Sequence, residues 1–100
     1  MRFLGVLLLA VLSAFAHAET DGQELLEMMR AKGGRPVVQP FIDDVWQKWN
    51  NRLFCIPAND IQESSFDAVK LYLENNPHVL FRPRRYAITN ALIQAFPCKK

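Results

Sequence analysis

The chain has 100 residues, of which 12 are Lys or Arg and 10 are Asp or Glu. This near balance of charge argues against nucleic acid as the ligand, because binding to a phosphate backbone draws on a clustered surplus of Lys and Arg. The length fits one small domain. A domain of this size buries only about 60 to 65% of its unfolded surface, so its stability is marginal without a covalent cross-link.

Residues 1–18 have the pattern of a cleavable signal peptide. Arg2 precedes an apolar stretch, and Ala16-His17-Ala18 is the small-x-small sequence that signal peptidase prefers. The apolar stretch of about fourteen residues is shorter than the roughly 20 needed to cross a bilayer. We therefore predict export, cleavage after Ala18, a mature domain of residues 19–100 and no membrane contact after cleavage.

The mature domain contains two cysteines, Cys55 and Cys98, which we predict to form a disulfide because the chain is exported. The bond would close a loop of about 44 residues and contribute on the order of 4 kcal/mol in the chain-entropy model. A zinc site needs three or four ligands, and besides these cysteines the mature chain offers one histidine, His78. We predict neither a metal nor a cofactor.

Hydrophobic periodicity predicts four helices. The first begins near Thr20, with Gln23 as its capping partner, and ends at Gly33-Gly34. The second begins around Pro40, which suits a first helical position. It continues through an apolar stripe whose two tryptophans are expected to anchor the core, with an interface role as the alternative. The stripe comprises Val38, Phe41, Ile42, Val45, Trp46, Trp49 and Leu53.

The third helix is predicted to begin at the capping pair Asp60 and Glu63 and to end before Pro77. The fourth is predicted from Pro83 to Phe96. Segment 35–38 is the one short strand candidate. The predicted fold class is therefore all-α: a small four-helix domain closed by one long-range disulfide that ties the junction of helices 2 and 3 to the end of helix 4.

No convergent catalytic set is apparent, and we predict that the protein is not an enzyme. Asp43 and Asp44 are adjacent, but neighbouring side chains on a helix point about 100° apart and do not converge on one substrate atom. The sequence has no glycine-rich phosphate loop, no HExxH zinc motif and no G-x-S-x-G elbow. His78 is expected to lie in an exposed turn.

Arg82, Arg84 and Arg85 are the candidate partner-binding residues. They crowd the predicted start of helix 4, where the helix dipole disfavours positive charge by a few tenths of a kcal/mol each. Either solvent or an acidic neighbour offsets this cost, or the three form a patch that faces an anion or a partner. If they form a patch, replacing all three with Ala should raise or preserve thermal stability and weaken partner binding.

The second half of the mature chain resembles the Rap/Tai immunity proteins associated with amidase effectors of type VI secretion. The resemblance is carried by Phe54-Cys55-Ile56-Pro57, Val69, Tyr72-Leu73, Asn76-Pro77, Ala87, Ala91-Leu92, Ala95 and Phe96-Pro97-Cys98. It implies a small helical protein of the periplasm whose partner is a cognate peptidoglycan amidase toxin, which it binds and blocks. The chain departs from many members in having no cysteine before Cys55, so only the two cysteines are carried over by position.

The alternative function is a periplasmic acid-stress chaperone of the HdeA-like kind, which is also small, helical and closed by one disulfide. A chaperone that opens at low pH benefits from a high density of ionisable groups. This chain has an ordinary 22% of charged residues and 11% of aromatic residues. The composition therefore favours the inhibitor, and a homodimer is left open in either case.

Overall fold

The computed structural model describes residues 20–99, so the predicted signal peptide lies outside the described residues. Residues 20–99 form five α-helices and one 3₁₀-helix, with no β-strand among them. The helices are α1 (Gly22–Arg30), α2 (Arg35–Trp49), α3 (Ala58–Glu63), α4 (Ser65–Asn75), the 3₁₀-helix (Pro77–Phe81) and α5 (Arg84–Ala95). The all-α class is confirmed, and the predicted count of four helices is wrong.

Helix α1 is capped by Asp21 rather than by Thr20. The Asp21 carboxylate accepts a hydrogen bond from the Glu24 backbone N–H at 3.0 Å. Thr20 has a different role, because its carbonyl accepts from the Arg84 N–H at 3.0 Å and so pairs with the start of α5. The capping residue is therefore Asp21, one residue after the predicted Thr20, and the backbone of Thr20 pairs with Arg84 instead.

Helix α2 begins at Arg35, one turn before the predicted start at Pro40. Pro36 lies in the first turn, where a missing N–H leaves no intrahelical bond unmade. The helix continues through Pro40, and the Val38 N–H donates to the Gly34 carbonyl at 3.0 Å. Because the helix already includes residues 35–38, Val38 lies on the buried face of α2. The strand predicted for segment 35–38 is therefore wrong, and the segment is helical.

The predicted third helix is divided at Ser64 into α3 and α4. Next to the break, the buried Ser65 hydroxyl donates to the Ile61 carbonyl. The Gln39 side-chain nitrogen donates to the same carbonyl and to the Ser65 hydroxyl, each at 3.3 Å. Because serine side chains compete with the backbone for helical carbonyls, this buried network explains the break.

All the helices contribute to one apolar core, in which α4 packs chiefly against α5. The two tryptophans of α2 have different environments. Trp46 packs against the core and donates its indole N–H to the Ile56 carbonyl at 2.9 Å, whereas Trp49 is 40% exposed. Only one of the two predicted core tryptophans is therefore a core residue. Among residues 20–99, the apolar side chains with no exposed surface are Leu25, Val38, Ile42, Phe54, Val69, Leu73, Ala87, Ile88 and Leu92.

The Cys55–Cys98 disulfide is present, with Cα atoms 4.9 Å apart and a sequence separation of 43. A backbone hydrogen bond from the Cys55 N–H to the Phe96 carbonyl, 2.9 Å long, runs beside it. On either side of Cys55, Phe54 and Ile56 are 0% and 1% exposed. The bond links the turn after α2 to the end of α5, as predicted.

Replacing Cys55 and Cys98 together with Ala should lower the free energy of unfolding by about 2 to 4 kcal/mol, because the unfolded chain regains the entropy of the open loop. Urea denaturation at neutral pH measures this difference. Wild-type protein treated with a thiol reductant should unfold at the midpoint of the double variant. Equal midpoints for the oxidised wild type and the double variant would show that the bond contributes nothing.

The turn between α1 and α2 contains two glycines with different constraints. Gly33 has a φ of 76°, and a Cβ added there would meet no atom within 4 Å. A Cβ added at Gly34 would lie 1.8 Å from the Met28 carbonyl oxygen, a backbone atom that cannot give way alone. Gly33 is needed for its backbone angle, and Gly34 for the close approach of two backbone segments.

We expect Gly34→Ala to destabilise the domain by about 3 kcal/mol, because the turn must open to admit the methyl group. Gly33→Ala is the matched control and should cost about 1 kcal/mol, the strain of a left-handed alanine. Thermal unfolding followed by circular dichroism compares the two. A larger loss for Gly33→Ala would contradict the geometry of this turn.

Candidate functional site

The candidate site is a shallow groove of about 400 Å³ where the end of α2 meets the start of α5. We call it the aromatic-arginine groove. It is lined by Trp49, Leu53, Pro83, Arg85, Tyr86, Thr89 and Asn90. Its lining combines aromatic, aliphatic, arginine, hydroxyl and amide side chains, which together offer apolar contact, hydrogen bonds and positive charge to a ligand.

The α5 wall of the groove is held by backbone hydrogen bonds to the chain that enters α1. The Gly22 N–H donates to the Arg82 carbonyl at 2.8 Å, and the Arg84 N–H donates to the Thr20 carbonyl at 3.0 Å. Between them, Asp21 and Pro83 form an antiparallel bridge. These contacts fix the direction in which α5 starts.

The α2 wall is shaped by the tight turn that follows Trp49. The N–H groups of Arg52 and Leu53 both donate to the Trp49 carbonyl at 3.0 Å, and the Asn51 N–H donates to the Phe54 carbonyl at 2.7 Å. Asn51 has a φ of 69°, a left-handed angle that asparagine tolerates better than most residues. The turn places Leu53 in the lining of the same groove as Trp49.

Three large side chains of the groove remain open to solvent. Trp49, Leu53 and Tyr86 are 40%, 42% and 44% exposed. Grouped apolar surface of this kind is typical of interaction sites, and Trp, Tyr and Arg are the residue types enriched at binding hot spots. The sequence pattern missed this grouping because Trp49 and Leu53 continue the apolar stripe of α2 and look like core residues.

The structure separates the three candidate arginines. The Arg82 guanidinium lies 5.0 Å from the centre of the Tyr86 ring, and Arg85 lines the groove. Arg84 is partly buried, with its guanidinium 4.1 Å from the centre of the Phe41 ring. Arg85 thus lines the groove, Arg82 contacts one of its lining side chains, and Arg84 packs against α2.

The other polar residues singled out in the sequence, Asp43, Asp44 and His78, are not part of the groove lining. Asp43 accepts from the Gln39 side-chain nitrogen at 3.0 Å, and Asp44 pairs with Lys48 at 3.3 Å. His78 is exposed on the 3₁₀-helix. Across residues 20–99, no group of three or more His, Cys, Asp or Glu side chains is arranged to hold a metal ion, and no helix has the length and apolarity to span a membrane.

A second, smaller groove of about 270 Å³ lies between α4 and α5. Its lining includes Leu71, which is 59% exposed, and Tyr72. Burial, with a smaller contribution from the phenol of Tyr86, raises the pKa of Tyr72. This groove carries no charged side chain in its lining, so it offers apolar contact and neutral hydrogen-bonding groups.

Comparison of the chain with models of protein families, with curated proteins and with solved structures found no match.

The contact between Arg84 and Phe41 changes what the triple Ala variant should do to stability. We expect Arg84→Ala alone to lower the free energy of unfolding by about 1 kcal/mol, since it removes a partly buried cation-π contact. Arg52→Ala, at an exposed turn position, is the control and should change it by less than about 0.5 kcal/mol. Urea denaturation distinguishes them. Equal effects of the two substitutions would mean that the contact between Arg84 and Phe41 does not contribute to stability.

Proposed function

We propose that the mature chain is a non-enzymatic immunity protein of the periplasm, which binds a peptidoglycan amidase effector of type VI secretion and blocks its active site. The aromatic-arginine groove carries this proposal, because it combines exposed Trp, Tyr and Leu side chains with arginine on one face. The resemblance of the second half to Rap/Tai proteins supplies the class of partner.

Occlusion of an active site requires a surface that keeps its shape. Both walls of the groove belong to helices, and α2 and α5 are joined through the Cys55–Cys98 bond and its neighbouring backbone hydrogen bond. A rigid binding surface loses little conformational entropy on association, which favours affinity. A standard protein interface buries about 800 Å² on each partner, an area that a domain of this size can supply from one face.

The chaperone alternative requires that acid open the domain. The three ion pairs in the described part that acid would break are Arg30–Glu74, Arg35–Asp67 and Lys48–Asp44, and all have exposed partners. Exposed ion pairs contribute little to stability, and the apolar core and the disulfide do not titrate in acid. This arrangement favours the inhibitor over an acid-activated chaperone.

The test uses oxidised protein comprising residues 19–100. It is immobilised and exposed to periplasmic extract at neutral pH, and the retained peptidoglycan amidase is purified and assayed on isolated murein sacculi. We expect release of soluble muropeptides to fall to background at one equivalent of the protein. The protein alone should release nothing.

Three outcomes would count against the proposal. Retention of no amidase at neutral pH, or of an amidase that stays active in the complex, would exclude an inhibitor. Retention of many proteins only below about pH 4, near the pKa values of carboxylates, would favour the chaperone. Release of muropeptides by the protein alone would show an enzyme.

A further inference from the structure

We infer that the aromatic-arginine groove receives a partner segment in which one large apolar side chain is flanked by carboxylates. This inference rests on the proposed function, since it names the chemistry of the surface that the inhibitor recognises. It follows from three features of the groove: an apolar floor, a local surplus of positive charge, and an arginine guanidinium that lies over the ring of Tyr86.

The apolar floor calls for an apolar ligand group. Trp49, Leu53 and Tyr86 each leave about two fifths of their surface in water, although they adjoin one another in a concave site. Inserting one large side chain would remove apolar surface of both partners from water, at about 25 cal/mol for each Å² buried. Thr89 and Asn90 at the α5 side provide polar groups for the backbone of the inserted segment.

The charge around the groove calls for an acidic ligand. All ten Asp and Glu residues of the chain lie before position 75, whereas residues 75–100 include Arg82, Arg84 and Arg85 and no acid. The α2 wall is also free of acidic residues from 49 to 59 and includes Arg52. Both walls therefore come from segments that carry only positive charge.

One carboxylate does approach the groove region from another element. Asp21 contacts Pro83 through the backbone bridge, but its carboxylate caps α1 by accepting from the Glu24 N–H. A carboxylate in that position balances the helix dipole of α1. The charge of Asp21 is thus partly offset by α1, and residues 82–86 themselves contribute no carboxylate.

An arginine that precedes α5 and a tyrosine in its first turn are already in contact before a partner arrives. Arg82 lies over the Tyr86 ring, and the Asn90 side-chain nitrogen donates to the Tyr86 carbonyl at 2.9 Å. An incoming carboxylate would meet a planar guanidinium that can bind both of its oxygens. An apolar group beside that carboxylate would reach the tyrosine and tryptophan at the same time.

A second copy of this chain fits the groove less well. In a two-fold symmetric dimer the same patch faces itself, so Arg82 and Arg85 of the two copies would approach one another. Like charges across an interface are unfavourable, and neither wall supplies an acidic residue to balance them. An acidic segment of a different protein avoids this repulsion.

The first experiment selects binders from a displayed library of short random peptides against oxidised residues 19–100. Peptides that also bind the Trp49→Ala/Tyr86→Ala double variant are removed. We expect enrichment of sequences with Leu, Phe or Trp between Asp or Glu residues. Enriched sequences without acidic residues, or the loss of every binder when peptides that bind the double variant are removed, would overturn the inference.

The second experiment locates a selected synthetic peptide by NMR, using the two indole N–H signals. The Trp49 signal should shift on titration, whereas the Trp46 signal should not, because its N–H is bonded to the Ile56 carbonyl inside the domain. A shift confined to Trp46, or no shift of either signal at saturation, would place the peptide elsewhere.

Affinity measurements with the same peptide separate the apolar and the charge contributions. Tyr86→Ala should weaken binding about tenfold or more, as expected at a hot spot. Arg82→Glu should weaken peptide binding as strongly. It should also make the affinity less dependent on salt, because the attraction that salt screens, between Arg82 and the peptide carboxylates, is removed. Leu71→Ala, which truncates an exposed apolar side chain in the other groove, is the matched control and should bind as the wild type does.

The variants also separate this inference from the proposed function. If the amidase is inhibited equally well by wild type, Tyr86→Ala and Arg82→Glu, the immunity function stands and the groove assignment fails. If acidic peptides bind the groove but no amidase is inhibited, the groove assignment stands and the immunity function fails. If the protein binds vesicles of anionic phospholipid and selects no acidic peptides, the claim that the groove receives a protein segment fails. Thermal unfolding of each variant confirms that it is folded.

Discussion

The Cys55–Cys98 bond and the buried residues beside it are the constraint on which the rest of the fold depends. The bond joins two positions separated by 43 residues in sequence, and the loop between them contains α3, α4, the 3₁₀-helix and α5. Phe54 and Ile56, on either side of Cys55, have almost no exposed surface. The cross-link therefore joins the interior of the core to the end of the last helix, where it restricts the unfolded chain most and holds α5 against the end of α2.

The aromatic-arginine groove exists because α5 is fixed at both ends. Its end is held near Cys55, and its start is held by the pairing of Arg84 with Thr20. With both ends fixed, the outward side of the first turns of α5 lies beside the last turn of α2, and Tyr86 adjoins Trp49. A surface formed between two helices of one core needs little rearrangement on association, which is what the proposed inhibitor requires.

The arginine cluster shows how far residue patterns lead toward a site. In the sequence, Arg82, Arg84 and Arg85 form a group at the predicted start of a helix, where the helix dipole disfavours positive charge. In the folded domain Arg84 covers the Phe41 ring, whereas Arg82 and Arg85 lie with Tyr86 at the groove. Adjacent residues of a helix point in different directions, so one cluster in sequence serves two surfaces, and only the packing of α2 against α5 shows which arginine serves which.

By itself, the sequence determined the helical class, the disulfide and the extent of α5, because these follow from periodicity, from cysteine count and from proline positions. It did not determine the start of α2, where the burial of Val38 extends the helix, or the division at Ser64, where Gln39 and Ser65 compete for the carbonyl of Ile61. It also could not distinguish Trp46 from Trp49, since both continue the same apolar stripe. Those outcomes depend on contacts between residues far apart in the chain, and such contacts exist only once the helices have packed.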